Sequence, residues 1–360
     1  MAGKNYKALR SLCLGILLIA ACKKDKPLST IVPPPNSNAG TSVYVVCEGS
    51  LGNGNAALTL YKPLTDSVYQ DIYKSANSQS LGDVFQSMVR IGDKLFLCIN
   101  NSDKIVVIDR SNWTLSGTIS VAKPRYILPI SDTKAYVSTL FSNKVYVINP
   151  QTLQVTGHID MPGMNPEQML LYNNKVFIAT WDSTVNKLYA VDPNTDQVSQ
   201  TIQLPGYAPK ELSLDKNNML WLLSGNIQAN KPAYFTKIDP ASGQVLNTYP
   251  FPTLADPVRP VFNNTKDTLY YVEINYTGGT DNNGIYRMPV TDPAVPAQAF
   301  IAAQQYQYYY AVGIDPNTGN IYIGDPKGFT QKGTVYIYHP DGTLLRQFGT
   351  GVGPGHFYFD

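Results

Sequence analysis

A short apolar-aromatic segment recurs seven times along the chain and constrains its fold more than any other feature. Each copy carries one aromatic residue, and these are Tyr44, Phe96, Tyr136, Phe177, Trp221, Tyr270 and Tyr322. Successive aromatics are 52, 40, 41, 44, 49 and 52 residues apart. A basic period near 41 residues, with insertions in some units, indicates a repeat architecture built from one supersecondary unit.

Each unit has room for four short strands. Second strands are predicted at Lys104–Asp109, Lys144–Asn149, Lys187–Asp192 and Thr334–His339. Third strands are predicted at Gln154–Ile159, Gln197–Leu204 and Gln244–Tyr249, and fourth strands at Pro166–Tyr172 and Pro209–Leu214. Turns such as Asn149-Pro150 and Asp192-Pro193 separate the second and third strands, because Asx side chains cap turns and Pro presets φ. Four strands in about 40 residues are typical of a β-propeller blade.

The two ends of the repeat array predict a closed ring. A solenoid is the alternative, and it needs polar capping repeats at both ends. Here the last residues, Gly355–Phe359, form an apolar strand instead, whereas the first unit begins at Val43 without a strand before it. We therefore predict an all-β fold: a seven-bladed β-propeller with four strands per blade, spanning 42–360 and closed by the C-terminal strand, which removes the open sheet edge.

The first 21 residues read as a targeting segment. Lys4, Lys7 and Arg10 precede a short apolar run, which ends in Leu18-Ile19-Ala20-Ala21-Cys22. This pattern resembles the bacterial lipobox, which implies cleavage before Cys22 and its acylation as a membrane anchor. An ordinary secretory signal with an incidental cysteine is the alternative.

Residues 22–41 are predicted to be a flexible linker rich in Pro, Ser and Asn. Pro27, Pro33, Pro34 and Pro35 favour extended backbone that holds the folded body away from the membrane. The charged run Lys23–Lys26 is similar to the surface-export signals of Bacteroidota lipoproteins, and a plain solvated tether is the alternative.

The charge balance argues against a nucleic-acid partner. Only 15% of residues are charged, and removal of residues 1–21 leaves 25 basic and 26 acidic residues. A nucleic-acid-binding protein needs a basic face, which a near-neutral body does not favour.

Of the four cysteines, Cys47 and Cys98 remain in the body, and each lies in a strand-like run. They occupy unmatched places in their repeats, which favours two buried thiols. A disulfide is the alternative, because an oxidising compartment permits one.

The start of each inner strand is the predicted binding region, because these strands all begin at one mouth of the central channel. Bulky polar and aromatic side chains there suit a ligand site, flanked by Trp181 in a loop on the same face. The predicted ligand-binding residues are Gln86, Arg125, Gln168, Trp181, Lys210, Arg259, Tyr309, Tyr310 and His356. The alternatives are that these side chains pair with one another and plug a narrow channel, and that part of the Tyr306–Tyr310 cluster packs between blades.

Catalytic and metal-binding patterns are sparse in the sequence. The three histidines, His158, His339 and His356, are far apart in sequence and argue against a metal site, so neither metal nor cofactor is predicted. Asp281–Gly284 only faintly resembles a calcium loop. A convergent acid and base could come only from His356 beside Glu167 or Glu211.

The segment Tyr136-Val137-Ser138-Thr139, followed by Asn143–Pro150 and Gln154-Val155-Thr156, resembles the YVTN-type β-propeller repeat. Cys47–Ala56 and Leu81–Met88 are similar to segments of YVTN-like surface lipoproteins of Bacteroidota. Some members of that group stand beside TonB-dependent transporters and capture corrinoids such as vitamin B12. The resemblance implies a lipid-anchored outer-membrane protein that binds a corrinoid without catalysis. A propeller-based lyase or hydrolase, or an interaction scaffold in the cell envelope, remains the alternative.

Overall fold

Seven four-stranded antiparallel sheets form the molecule in the computed structural model, which describes residues 42–274 and 283–360. Blade 1 contains β28 (Pro354–Phe359), β1 (Val43–Cys47), β2 (Ala57–Lys62) and β3 (Ser67–Tyr69). Blade 2 contains β4 (Phe85–Ile91), β5 (Lys94–Ile99), β6 (Lys104–Asp109) and β7 (Leu115–Ser120). Blade 3 contains β8 (Pro124–Ser131), β9 (Lys134–Thr139), β10 (Lys144–Asn149) and β11 (Gln154–Asp160).

The remaining blades repeat the same order of strands from the inside outwards. Blade 4 contains β12 (Pro166–Tyr172), β13 (Lys175–Thr180), β14 (Lys187–Asp192) and β15 (Gln197–Gln203). Blade 5 contains β16 (Pro209–Leu214), β17 (Leu220–Asn226), β18 (Lys231–Ile238) and β19 (Val245–Pro250). Blade 6 contains β20 (Asp256–Phe262), β21 (Thr268–Ile274), β22 (Gly284–Pro289) and β23 (Ile301–Ala302). Blade 7 contains β24 (Ala311–Ile314), β25 (Ile321–Asp325), β26 (Lys332–Tyr338) and β27 (Leu344–Val352).

The seven inner strands contact one another in a circle. Strand β4 lies against β8, and the contacts continue through β12, β16, β20 and β24 to β28, which lies against β4. The predicted seven-bladed propeller is therefore confirmed. Between β3 and β4 the chain adds one α-helix, α1 (Ile72–Asn77), whose N-terminus is capped by the Asp71 side chain. Within the described residues, no helix is long and apolar enough to cross a membrane.

The C-terminal strand closes the ring, as predicted. Strand β28 pairs antiparallel with β1, so that Val43 lies opposite Phe359 and Val45 opposite Phe357. Ser42 and Asp360 exchange two backbone hydrogen bonds of 3.2 and 2.9 Å. Blade 1 thus takes its inner strand from one end of the chain and its other three strands from the other end.

The core lies between neighbouring blades. The seven repeated aromatic residues are each at most 7% exposed, which explains their spacing: every repeat contributes one ring to the contact with its neighbour. For example, Trp221 of blade 5 lies edge-on to Phe262 of blade 6, with ring centroids 6.2 Å apart. Burial of such rings contributes roughly 1.5–3 kcal/mol each.

Cys47 and Cys98 are both buried and unbridged, as favoured by their positions in the repeat. Burial raises the pKa of the Cys47 thiol to about 11 and that of Cys98 to about 12. Both therefore remain protonated and behave as small apolar side chains.

A left-handed residue precedes the inner strand in four consecutive blades and fixes where that strand begins. These residues are Val84, Lys123, Asn165 and Ala208, with φ between +45° and +58°. The carbonyl of each accepts a hydrogen bond from a backbone N–H at the end of the strand that lies next to the inner strand. These strands are β5, β9, β13 and β17, and the distances are 2.7, 2.9, 2.8 and 3.1 Å respectively. The next residues along the chain therefore lie at equivalent places around one end of the channel, which we call the mouth.

Candidate functional site

A cavity of about 510 Å³ lies at the mouth, in the size range of small-molecule sites. Six of the nine predicted ligand-binding residues line it: Gln86, Arg125, Trp181, Lys210, Arg259 and Tyr310. They come from six different blades. The structure thus brings together residues that are up to 224 positions apart in the sequence.

The other three predicted residues do not line this cavity. The side-chain carbonyl of Gln168 accepts a hydrogen bond of 2.9 Å from the backbone of Leu212 and so joins blades 4 and 5. Tyr309 is fully buried between blades, with its hydroxyl 2.9 Å from that of Tyr338. His356 contacts the Arg259 guanidinium and lies edge-on to Tyr126.

Arg125 organises one side of the cavity floor. Its Nε and Nη2 donate to the Glu167 carboxylate at 2.9 and 3.1 Å, and Nη1 donates to the side-chain carbonyl of Gln86. The Gln86 amide in turn donates to the Tyr126 hydroxyl at 3.3 Å. This bidentate arrangement fixes the guanidinium plane, so three neighbouring blades share one hydrogen-bonded network.

Arg259 organises the opposite side. Its Nη2 donates to Glu48 at 2.8 Å and to the Tyr310 hydroxyl at 3.2 Å, while Nη1 contacts His356. Its backbone N–H donates to Glu211 at 3.1 Å. Blades 1, 5, 6 and 7 therefore meet at Arg259. The backbone of Arg259 is left-handed, with φ +58°.

Burial shifts the pKa values of this floor. It raises those of Glu48, Glu167 and Glu211, although nearby arginine or lysine charges oppose the shift. The pKa of His356 is lowered well below its usual value, first by burial and then by the charges of Arg259 and Arg125. His356 is therefore neutral at pH 7.

The charges that line the cavity are balanced. The basic side chains are Lys123, Arg125, Lys210 and Arg259, and the acidic ones are Glu48, Glu167, Glu211 and Asp256. Lys210 lies 3.4 Å from Asp256 and donates to the Pro257 carbonyl at 2.9 Å. The alternative in which mouth residues pair with one another therefore holds for the floor, yet a cavity remains above it.

Apolar side chains form part of the cavity rim. Leu51, in the loop after β1, is 76% exposed, and Phe141, in the loop after β9, is 74% exposed. Trp181 follows β13, and Ile227 follows β17. Large apolar side chains that remain in solvent around a concave site are typical of a ligand-binding surface. The site thus combines an apolar rim with a polar, charge-balanced floor.

The predicted ligand-binding residues do not include several residues that line the cavity. Glu48 and Glu211 belong to the Arg259 network, and Phe141 and Leu51 belong to the rim. Glu48 directly follows β1, as Asn100 follows β5 and Leu140 follows β9. Each of these strands lies next to the inner strand of its blade, so the positions directly after such strands were the sequence signal for further lining residues.

The loops around the mouth contribute unequally to the cavity. Leu51 and the segment 226–228 line the cavity, whereas Phe329 packs edge-on against Tyr310, with centroids 5.2 Å apart. The loop at 275–282, with most of the calcium-loop-like segment, lies outside the described residues, as do residues 1–41 with Cys22. Among the residues that the structure describes, no cluster of three His, Cys, Asp or Glu side chains could hold a metal ion.

The acid and base that catalysis would need are not paired with each other. His356 contacts Arg259, Glu167 binds Arg125, and Glu211 accepts from the Arg259 backbone. A proton relay between His356 and either carboxylate would require these contacts to rearrange.

Comparisons with solved structures agree with the fold. A quinonprotein alcohol dehydrogenase-like protein from Bacteroides thetaiotaomicron is similar, with a TM-score of 0.66 and 17% identity over 90% of this chain and 79% of that chain. The periplasmic gluconolactonase of Pseudomonas aeruginosa is similar with a TM-score of 0.64 and 11% identity, over 88% and 99% of the two chains. At these identities the likeness concerns the fold alone.

No curated protein matches the chain. A family model does match: residues 41–359 fit the domain of unknown function DUF5074. Because this match spans the whole propeller, the chain belongs to the DUF5074 family.

Proposed function

We propose that this protein captures an amphipathic small molecule at the mouth of its propeller, without catalysis, and that the ligand is a corrinoid. The observation that carries the proposal is the composition of the cavity: an exposed apolar rim around a polar floor whose four basic and four acidic side chains balance. A strongly charged ligand would leave part of this floor uncompensated, whereas a neutral amphipathic ligand would not.

A corrinoid suits this lining because it joins a broad ring to several amide side chains. Five side-chain amides line the cavity, from Gln86, Asn100, Asn101, Asn226 and Gln228. A side-chain amide has two N–H donors and two acceptor lone pairs, so even Gln86, which bonds to Arg125 and Tyr126, retains one of each for a ligand amide. No histidine lines the cavity in the described structure, and the proposed binding mode uses no protein ligand to cobalt.

The proposed setting is the outer membrane, where acylated Cys22 anchors the protein and a TonB-dependent transporter receives the ligand. The supporting observation is geometrical. Ser42, where the described chain begins, lies at the end of β1 opposite the mouth, because β1 runs towards Glu48 at the cavity. A tether that leaves from Ser42 keeps the mouth accessible to ligand.

Titration with cyanocobalamin tests the proposal, followed by absorbance or calorimetry. Leu51→Asp places a charge on the rim and should weaken binding at least about tenfold, because desolvation of the carboxylate opposes contact with the ring. Leu51 is highly exposed, so the substitution should leave the melting temperature unchanged.

Leu254→Asp is the matched control. Leu254 is 78% exposed, nearly the same as Leu51, and lies in a loop at the same end of the molecule, but it does not line the cavity. This variant should bind like the parent protein. Absence of binding by the parent at high micromolar cyanocobalamin would refute the corrinoid assignment, and equal losses in both variants would refute the assigned cavity.

A further inference from the structure

Phe141 occupies an unfavourable position for its residue type. Its ring is 74% exposed, and its backbone has φ +58°, a left-handed conformation that costs free energy for a side chain with a Cβ. The Phe141 amide donates a hydrogen bond of 2.7 Å to the side-chain carbonyl of Asn165. The loop is therefore fixed in this conformation, with the ring at the cavity rim.

Asn165 holds a second rim aromatic in the same way. Its side-chain amide donates to the Trp181 carbonyl at 3.3 Å, and its backbone carbonyl accepts from the Trp181 amide at 2.8 Å. Its own backbone N–H donates to the Ser142 carbonyl at 2.8 Å. One side chain thus uses its donor and its acceptor to join loops of blades 3 and 4, each of which carries an aromatic residue of the cavity lining.

Trp181 supplies an independent observation. Its indole Nε1 is buried and has no hydrogen-bond partner among the described residues. A buried N–H donor without an acceptor is destabilising, and such groups in native structures call for an explanation. Because Trp181 lines the cavity, an acceptor on a bound ligand would provide the missing partner after a small rotation of the ring.

We propose that Phe141 and Trp181 form an aromatic wall that binds the flat face of the ligand, and that Asn165 is the residue that positions both rings. This inference rests on the proposed function, which it extends by naming the recognised chemistry: a planar, conjugated group with a hydrogen-bond acceptor at its edge. Rings held in place before binding lose little conformational entropy when the ligand arrives.

The experiment compares single variants in cyanocobalamin titrations. Phe141→Ala and Trp181→Ala should each weaken binding at least about tenfold. Asn165→Gly removes the side chain but retains a residue suited to the left-handed backbone, φ +54°, and should weaken binding about three- to tenfold. Tyr306→Ala is the control, because Tyr306 is 87% exposed, also left-handed and in a loop at the same end of the molecule, but outside the cavity lining.

A double-mutant cycle separates positioning from general stabilisation. In a chain that already carries Phe141→Ala and Trp181→Ala, Asn165→Gly should cause less than a twofold further change, because it acts through those rings. An undiminished effect in that background would overturn the positioning role. Equal affinity of the parent, Phe141→Ala and Trp181→Ala would overturn the aromatic wall while leaving corrinoid capture intact.

A second probe distinguishes failure of the wall from failure of the proposed function. If the parent binds no cyanocobalamin, the same variants are titrated with 8-anilinonaphthalene-1-sulfonate, an anion whose naphthalene ring system is planar and conjugated, and its fluorescence is followed. Loss of the fluorescence gain in Phe141→Ala, Trp181→Ala and Asn165→Gly, with retention in Tyr306→Ala, supports the wall without the corrinoid. An unchanged gain in all four variants, or none in the parent, overturns it.

Discussion

His356 shows how one residue can carry both a packing role and a pH dependence. It contacts Arg259 and lies edge-on to Tyr126, beneath the cavity. Burial and two arginine charges hold its pKa well below that of a solvated imidazole. The unfolded chain binds a proton at His356 below about pH 6.5, whereas the folded protein does not. The stabilisation that results is present above pH 6.5 and is lost as the pH falls.

Replacement of this imidazole should therefore flatten part of the pH profile of stability. Between pH 7 and 5.5, His356→Gln should lose about 1 kcal/mol less unfolding free energy than the parent, measured by urea unfolding. The comparison with the parent is needed because burial raises the pKa of Glu273 to about 7. Protonation of Glu273 therefore increases the unfolding free energy as the pH falls through this range, opposite to the effect of His356. Identical profiles for His356→Gln and the parent would contradict this account.

At the residue scale, the sequence indicates which side chains reach the cavity where their place follows from the start of an inner strand. Arg125 and Lys210 each directly follow the proline that begins the strand, and both line the cavity. The sequence does not indicate this where adjacent side chains face different ways: Tyr310 lines the cavity, whereas its neighbour Tyr309 is buried between blades. In the extended segment that leads into β24, adjacent side chains point to opposite sides, and the cluster of tyrosines in the sequence does not indicate which one points inwards.

At the scale of the strand, prediction was more accurate, and the reason is physical. The predicted bounds of β6, β10, β12, β14 and β16 match the structure residue for residue. Apolar runs mark all five strands, Asx-Pro turns end β10 and β14, and a proline begins β12 and β16. Helix α1 and the two-residue strand β23 were not predicted, since each lies in an insertion without the repeat pattern. Register shifts interrupt the pairing of most inner strands near their first residues, for example between Pro124 and Ile127. These irregularities redirect the side chains of the mouth and leave no periodic signal in the sequence.

The closing strand β28 gives a prediction at this scale. Deletion of residues 353–360 removes the inner strand of blade 1 and exposes the edge of β1, which then lacks its partner. It also removes Phe357 and Phe359, whose rings lie 5.8 and 5.3 Å from that of Tyr322. Partial burial of two such rings contributes up to roughly 1.5–3 kcal/mol each, against a total stability of about 5–15 kcal/mol. We expect the truncated protein to aggregate or to melt far below the parent.

Asp360→Ala separates the strand from its terminal ion pairs. Asp360 binds Arg90 at 3.3 Å and Arg110 at 2.6 Å, and both arginine side chains are 39% exposed. Loss of such partly exposed pairs should lower stability by about 1 kcal/mol or less. Differential scanning calorimetry of the two variants checks the expectation. A truncated protein that melts with the parent would mean that the ring does not depend on β28.

At the scale of the whole molecule, the cavity lies on one face of the propeller, and Ser42 and Asp360 lie on the opposite face. The cavity lies where the inner strands begin, whereas Ser42 and Asp360 are paired where β28 ends. Twenty residues, 22–41, separate the predicted acylation site from Ser42, and an extended chain of that length spans at most about 70 Å. In the proposed setting, a tether of this length would allow the propeller to approach a transporter while its mouth receives ligand from the aqueous phase.

The anchor itself provides the last prediction. Acylated Cys22 would hold the protein on the membrane, because each buried methylene contributes about 0.8 kcal/mol and several chains together bind stably. Cys22→Ala removes the attachment point, so the variant should partition into the aqueous phase in a detergent phase-separation assay, while the parent remains in the detergent phase. Cys47→Ala is the control: that thiol is buried within blade 1, so its replacement should leave partitioning unchanged. Detergent-phase partitioning of Cys22→Ala would refute the lipid anchor. Cyanocobalamin affinity should be the same for the parent and Cys22→Ala, because the cavity lies at the opposite end of the propeller from Ser42.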